Sequence, residues 1–129
     1  MVYAPGTPGI NKDGPTLSNE FIVSPRVGAG IIKITVYGDD TLSGDLNAGQ
    51  AMGLATSGPA SGMYVQYDDG GAVGQDVCRG LLIEPVPATT ARGNQEGLLL
   101  VGFAVVDESK TTDIDANAKT DLGDRIVWI

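Results

Sequence analysis

The chain has no histidine and a single cysteine among its 129 residues. Without an imidazole there is no Ser–His or Cys–His nucleophile and no histidine-ligated metal. Cys78 has no second cysteine to pair with, so the fold does not depend on an oxidising compartment. Its neighbour Val77 sets it in an apolar stretch, which predicts a small buried hydrophobe and not a reactive thiol. Aromatic residues are scarce at 5% while hydrophobic residues reach 42%, so the core must be aliphatic. Basic residues are outnumbered 8 to 16, for a net charge of −8. An acidic body with no basic patch repels nucleic acid, and no nucleic-acid partner is expected. No apolar run approaches the ~20 residues of a membrane-spanning helix, and residues 1–9 show neither the basic nor the apolar region of a signal peptide. No membrane partner is expected either.

A chain of this length supports one domain around one core. Glycine is abundant, 19 of 129 residues, about twice ordinary usage. It follows no period of three, so it marks tight turns between short strands and not a collagen-like helix. No repeat of 20–50 residues is visible.

Residues 1–27 hold Pro5, Pro8, Pro15 and Pro25, and their Lys12 and Arg26 balance Asp13 and Glu20. Proline at this density resists both helix and central strand, so the segment reads as an extended arm ahead of a body at 28–129. The apolar triplet Phe21, Ile22 and Val23 inside it has two uses: tucking onto the chain's own core, or pairing with a neighbour's sheet edge. The whole acidic excess lies in the body.

Within the body, residues 31–37 alternate. Ile32, Ile34 and Val36 share one side, and Lys33, Thr35 and Tyr37 the other, as in a half-buried strand. Residues 50–54, 63–67, 77–86 and 126–129 read as further strands, separated by turn clusters such as Ser57-Gly58-Pro59 and Asp68-Asp69-Gly70-Gly71. Residues 98–106, LLLVGFAVV, carry no charge and read as a strand buried on both faces, interrupted by Gly102. The segment 115–122 has the one helical signal, with Asp113 or Asp115 as N-cap and Gly123 as its stop. Short strands separated by roughly ten residues predict an all-β barrel or sandwich with at most one short helix near the C-terminus. Trp128, in the last strand, is expected in the core.

Residues 113–124, DIDANAKTDLGD, mimic a calcium loop, with Asp113, Asp115, Asn117, Asp121 and Asp124 at ligand positions. Ala118 stands where the sharp turn requires glycine, and Asp124 is shorter than the usual bidentate Glu. A solvated acidic loop capping a short helix is the expectation, with no metal. Asp39-Asp40 and Asp68-Asp69 sit beside glycine, where carboxylates hydrogen-bond their own turn. Residues 70–74 lack both the spacing and the lysine of a phosphate loop. Ser57, Ser61 and Ser109 have no base and no nucleophile elbow. No catalytic residues and no cofactor are expected.

Four segments resemble, in order, the head decoration (capsid cement) proteins of tailed bacteriophages, of the lambda type. They are LNAGQAMGL at 46–54, GMYVQYDD at 62–69, AVGQDVCRGLLI at 72–83 and AKTDLGDRIVWI at 118–129. The arm has no alignable motif. The resemblance implies a small β-tulip or barrel domain and no active site. It implies a structural virion protein, assembled in the host cytoplasm, that sits on the outer capsid surface as a homotrimer. There it would clamp neighbouring major capsid subunits after expansion. The arm residues Tyr3, Ile10, Phe21, Ile22 and Val23 are then the candidates for gripping the shell. The alternative is a calcium-dependent β-domain of a fibre or adhesin, which would use residues 113–124.

Overall fold

A computed structural model describes residues 21–38, 45–87 and 94–129, with only the backbone described at 24–29. Its strands are β1 (Ile22–Val36), β2 (Ala51–Leu54), β3 (Tyr64–Gln66), β4 (Cys78–Leu82), β5 (Gln95–Val106) and β6 (Ile126–Trp128). One α-helix, α1 (Ala116–Leu122), lies between two single-turn 3₁₀ segments, Glu108–Lys110 and Gly123–Arg125. The fold is therefore mostly β, with one short helix near the C-terminus, as the turn spacing predicts.

The strands run β1-β3-β2-β4-β5-β6 across the sheet, and β1 also pairs with β5, which closes the first five into a barrel. β1 and β5 form a long antiparallel ribbon from Val36↔Gln95 to Ile22↔Val106. The register slips at three places, one between Ile22 and Ser24 and two around Gly30. These bulges let a chain carrying Pro25, which has no N–H to donate, stay paired. The strand expected over 31–37 thus begins nine residues earlier, at Ile22, and takes in the end of the stretch read as an arm. Residues 1–20, with Tyr3 and Ile10, lie outside the described residues.

Two main clusters of apolar side chains hold the fold. The first collects Ile34 and Val36 from β1, Met52 from β2, Leu82 from β4 and Leu99 from β5, with Tyr64 of β3 packed against it. Every barrel strand contributes, so this cluster is the barrel interior, and it is aliphatic apart from Tyr64. The second lies outside the barrel wall. Ala51, Leu81, Leu100, Ala104, Val106 and Ile126 of the strands meet Ala118 and Leu122 of α1, together with Phe21, Tyr67 and Cys78. Successive residues of a strand point to opposite faces, so Leu99 fills the barrel while Leu100 lies under the helix. That is why Leu99 and Leu100 are both fully buried.

The expectation that 98–106 is buried on both faces holds only for part of the run. Beyond Gly102, Ala104 and Val106 remain buried, but Phe103 is exposed. β5 continues past the barrel: β4 covers it only at Leu99 and Leu100, and beyond that its neighbours are β6 and the start of β1. Gly102, at φ 149°, sits where the strand leaves the barrel, and a Cβ there would lie 2.6 Å from Cβ of Arg125. A side chain at this position meets both strain and a clash. Trp128 packs against the outer cluster while partly exposed, and its ring lies 5.8 Å from Nζ of Lys119. That distance is within reach of a cation–π contact.

The burial pattern sets an order among substitutions on β5. Leu100→Ala should cost about 2–5 kcal/mol in chemical denaturation, and Leu100→Asp should prevent folding by burying an unpaired charge. Phe103→Ala, in the same apolar run, should change stability by less than about 1 kcal/mol. Equal losses at the two positions would show that the Phe103 face of β5 is covered.

Candidate functional site

The ionisable groups gather on the helix side of the barrel, and the way the chain returns to that side explains how. The strand-like segment around Thr112 lies along β2: Ala51 N donates to Thr112 O and Thr112 N donates to Gly49 O, both at 3.1 Å. Asp113 follows in a left-handed backbone conformation, φ 65°, which side chains other than glycine rarely adopt. The conformation turns its carboxylate back onto the sheet. Oδ2 accepts from Gln50 Nε2 at 2.8 Å and from Gln66 Nε2 at 2.9 Å. Gln50 is buried and also donates to Ala51 O, so Asp113 satisfies an amide that water cannot reach.

Asp115 is the N-cap of α1, accepting from Ala118 N at 2.8 Å, and the same oxygen accepts from the buried Tyr67 hydroxyl at 2.9 Å. These donors hold its carboxyl below the ordinary aspartate range, with the Ala118 amide as the largest cause. Tyr67 is displaced in the opposite sense. Burial above all, then the hydrogen bond to Asp115 and the charges of Asp115, Asp69 and Asp121, push its phenol well above the ordinary value. Asp121 accepts from the Cys78 backbone N–H at 2.8 Å, tying α1 to β4. Asn117 donates to Asp69 at 2.8 Å, and Asp68 accepts from Gly70 N at 3.0 Å within its own turn.

Two adjoining open clefts run along this side. One, of about 390 Å³, is lined by Gln66, Tyr67, Asp68, Gln75 and Asp113 among others; the second, of about 300 Å³, by Tyr67, Asp68, Asp69, Asp113, Ile114 and Asp115. Carboxylates of the segment 112–121 serve as hydrogen-bond acceptors that join it to β2, β3 and β4. The calcium-like spacing is thus used for tethering: Asp113 reaches β2 and β3, Asp115 caps the helix, and Asp121 reaches β4. Among the described residues no group of three or more acidic or thiol side chains is placed to hold a metal ion. The Cys78 thiol is buried, lies 3.7 Å from Gly80 O, and is pushed up to about 12, chiefly by burial.

Of the residues expected to grip a shell, Tyr3 and Ile10 lie outside the described residues. Phe21 is in the outer cluster and Ile22 packs against it, so these two tuck onto the chain's own core. Val23 points to the other face and is exposed. A further exposed apolar group went unread in the sequence: Phe103, Val127 and Ile129. The alternation that would have revealed it is masked, because both faces of residues 98–106 are apolar.

No helix among the described residues is long and apolar enough to cross a membrane. No family model matches the chain, and no curated protein matches it significantly.

The Tyr67–Asp115 pair is open to a titration. A phenol raised on folding contributes stability that is full below the ordinary tyrosine value, near 10, and is lost as pH rises beyond it. The lowered Asp115 carboxyl contributes above the ordinary aspartate value and is lost as pH falls through its folded value. In a tyrosinate absorbance titration one component should appear late and vanish in Tyr67→Phe. Asp115→Asn, which still caps a helix, should move that component to lower pH without restoring the ordinary value, since burial is the larger cause. An unmoved component would show that Asp115 does not act on Tyr67.

Proposed function

We propose that this chain is a structural protein of a phage capsid, which binds the outside of the expanded shell as a trimer and clamps neighbouring major capsid subunits. The observation that carries the reading is the order of the four segments that resemble head decoration proteins. Residues 46–54 fall on the turn into β2 and on β2 itself; 62–69 on β3 and its closing turn; 72–83 on β4 and the loop before it; 118–129 on α1 and β6. All four converge on the same two apolar clusters, with Leu46 and Met52 in the inner one and Tyr67, Leu81, Leu122 and Ile126 in the outer. The matched segments are thus the framework of one domain and not scattered turns.

The surface chemistry fits such a role. The ionisable groups of the helix side are engaged in holding the domain together, and a net −8 keeps it solvated. In this reading residues 1–20 reach the shell. Their side chains sum to −1, Lys12 against Asp13 and Glu20, and Arg26 brings residues 1–27 to neutrality, so they approach an acidic surface with far less repulsion than the body. Phe21 and Ile22 are anchors of the arm in its own domain, and the gripping set narrows to Tyr3, Ile10 and Val23.

Deleting residues 2–20, which spares Phe21, should leave a folded body whose binding to purified expanded heads is at least about tenfold weaker, a loss of ~1.4 kcal/mol. Unchanged decoration by the truncated protein would move the gripping surface to the body, first to the segments 57–62 and 88–95. Failure of the full chain to bind heads would sink the shell reading.

The adhesin alternative requires a bound cation to stabilise the fold. Thermal melts in calcium and in chelator should coincide, because Asp113, Asp115 and Asp121 already have donors. A Tm several degrees higher with calcium would favour the adhesin reading, since a ligand that binds only the folded state raises stability.

A further inference from the structure

The turn that closes β3 contains a peptide bond open to a reaction of its own. Asp69 is followed by Gly70, and among the described aspartates it alone precedes a glycine. The backbone nitrogen of the next residue can attack an aspartate side chain, and a glycine leaves that nitrogen unobstructed because it has no Cβ. Asp69 and Gly70 are both exposed, so water reaches the bond.

Three contacts keep the reacting atoms apart. Gly71 N donates to Asp68 O at 2.8 Å, and Asp69 and Gly70 both have negative φ, so residues 68–71 form a type I turn. In such a turn ψ of the first central residue is about −30°, which directs Gly70 N away from Asp69 Cγ. Closing a ring between them takes a large rotation about ψ, and that rotation breaks the turn. Gly70 N also donates to Asp68 Oδ1 at 3.0 Å, so the nucleophile is already engaged. Asp69 Oδ2 accepts from Asn117 Nδ2 at 2.8 Å, so the group to be attacked is held by α1.

The geometry points to Asp69–Gly70 as a site of spontaneous aspartate isomerisation that Asp68 and Asn117 hold closed. In the reaction Gly70 N bonds to Asp69 Cγ. The protonated carboxyl loses its hydroxyl, which leaves as water with the amide proton, and a succinimide ring results. Water then opens the ring. Addition at Cγ restores aspartate. Addition at the main-chain carbonyl leaves the chain running through Cβ and Cγ, an isoaspartate of unchanged mass. Its carboxylate sits directly on Cα, so the bond to Asn117 is lost, and with it a link between the β3 turn and α1. The chemical lifetime of the domain is then set by how often this turn opens. None of this depends on whether the chain coats a shell.

Ageing the full chain in neutral buffer, followed by digestion, tests it. Isoaspartate at 69 is read as a peptide that elutes separately at unchanged mass, with electron-transfer fragmentation across its Cα–Cβ bond. The folded wild type should form it at least about tenfold more slowly than the same chain held unfolded in urea. Asp68→Ala and Asn117→Ala should each raise the folded-state rate about fivefold, the effect of losing one hydrogen bond. Asn117→Ala should not lower Tm, since alanine is the better helix former. Asp68→Asn, which keeps an acceptor for Gly70 N, should restore the slow rate. Gly70→Ala should keep the fold, because its Cβ would meet nothing closer than 3.7 Å, and should suppress the product. An unfolded chain that forms no isoaspartate at 69 would overturn the site. Equal rates in the folded and unfolded chains, or alanine variants that age like the wild type, would overturn the guard. So would acceleration that only follows a lowered Tm in both variants, because global opening would then feed the reaction.

Discussion

The fold depends on one strand long enough to serve three partners. β5 runs twelve residues, Gln95–Val106, and pairs with β1 along its length, with β4 at Leu99 and Leu100 and with β6 at its end. Closure of the barrel is the β1–β5 pairing; without it the sheet would present two open edges and an uncovered interior. The same strand separates the two apolar clusters, since alternate side chains serve opposite faces. With few aromatics available, the domain reaches its burial by using one strand twice.

The second constraint is electrostatic. Carboxylates are costly to leave without donors against an apolar surface, and here they are used to fasten the segment 112–121 to the barrel. Asp113 takes two glutamine amides, Asp115 a helix amide and a phenol, Asp121 a strand amide. Apart from the helix-cap bond, each joins residues far apart in sequence, so the segment is held by tertiary contacts and not by its own seven-residue helix, which is too short to be stable alone. The left-handed backbone at Asp113 is tolerated because both amides depend on that carboxylate.

Together these features divide the surface. Acidic groups and open clefts occupy the helix side, and the uncharged apolar face lies across the ribbon, next to the one short edge strand.

What the sequence determined by itself was local. Turn clusters placed every strand but the first within about four residues, Asp115 and Gly123 bounded the helix, and the apolar run at 98–106 named the strand on which everything rests. These are readable because turn chemistry and alternation act over a few neighbouring residues. Tertiary structure decided the rest. That Ile22 and Val23 belong to the same strand as Ile34 follows from pairing with β5, which overrides the local effect of Pro25. That a calcium-like spacing became three separate tethers follows from Gln50, Gln66, Tyr67 and Cys78 arriving from other strands, some forty to sixty residues away. That Phe103 is open while Leu99 is buried, on the same side of one strand, depends only on where the barrel ends, and an apolar run alone carries no sign of that.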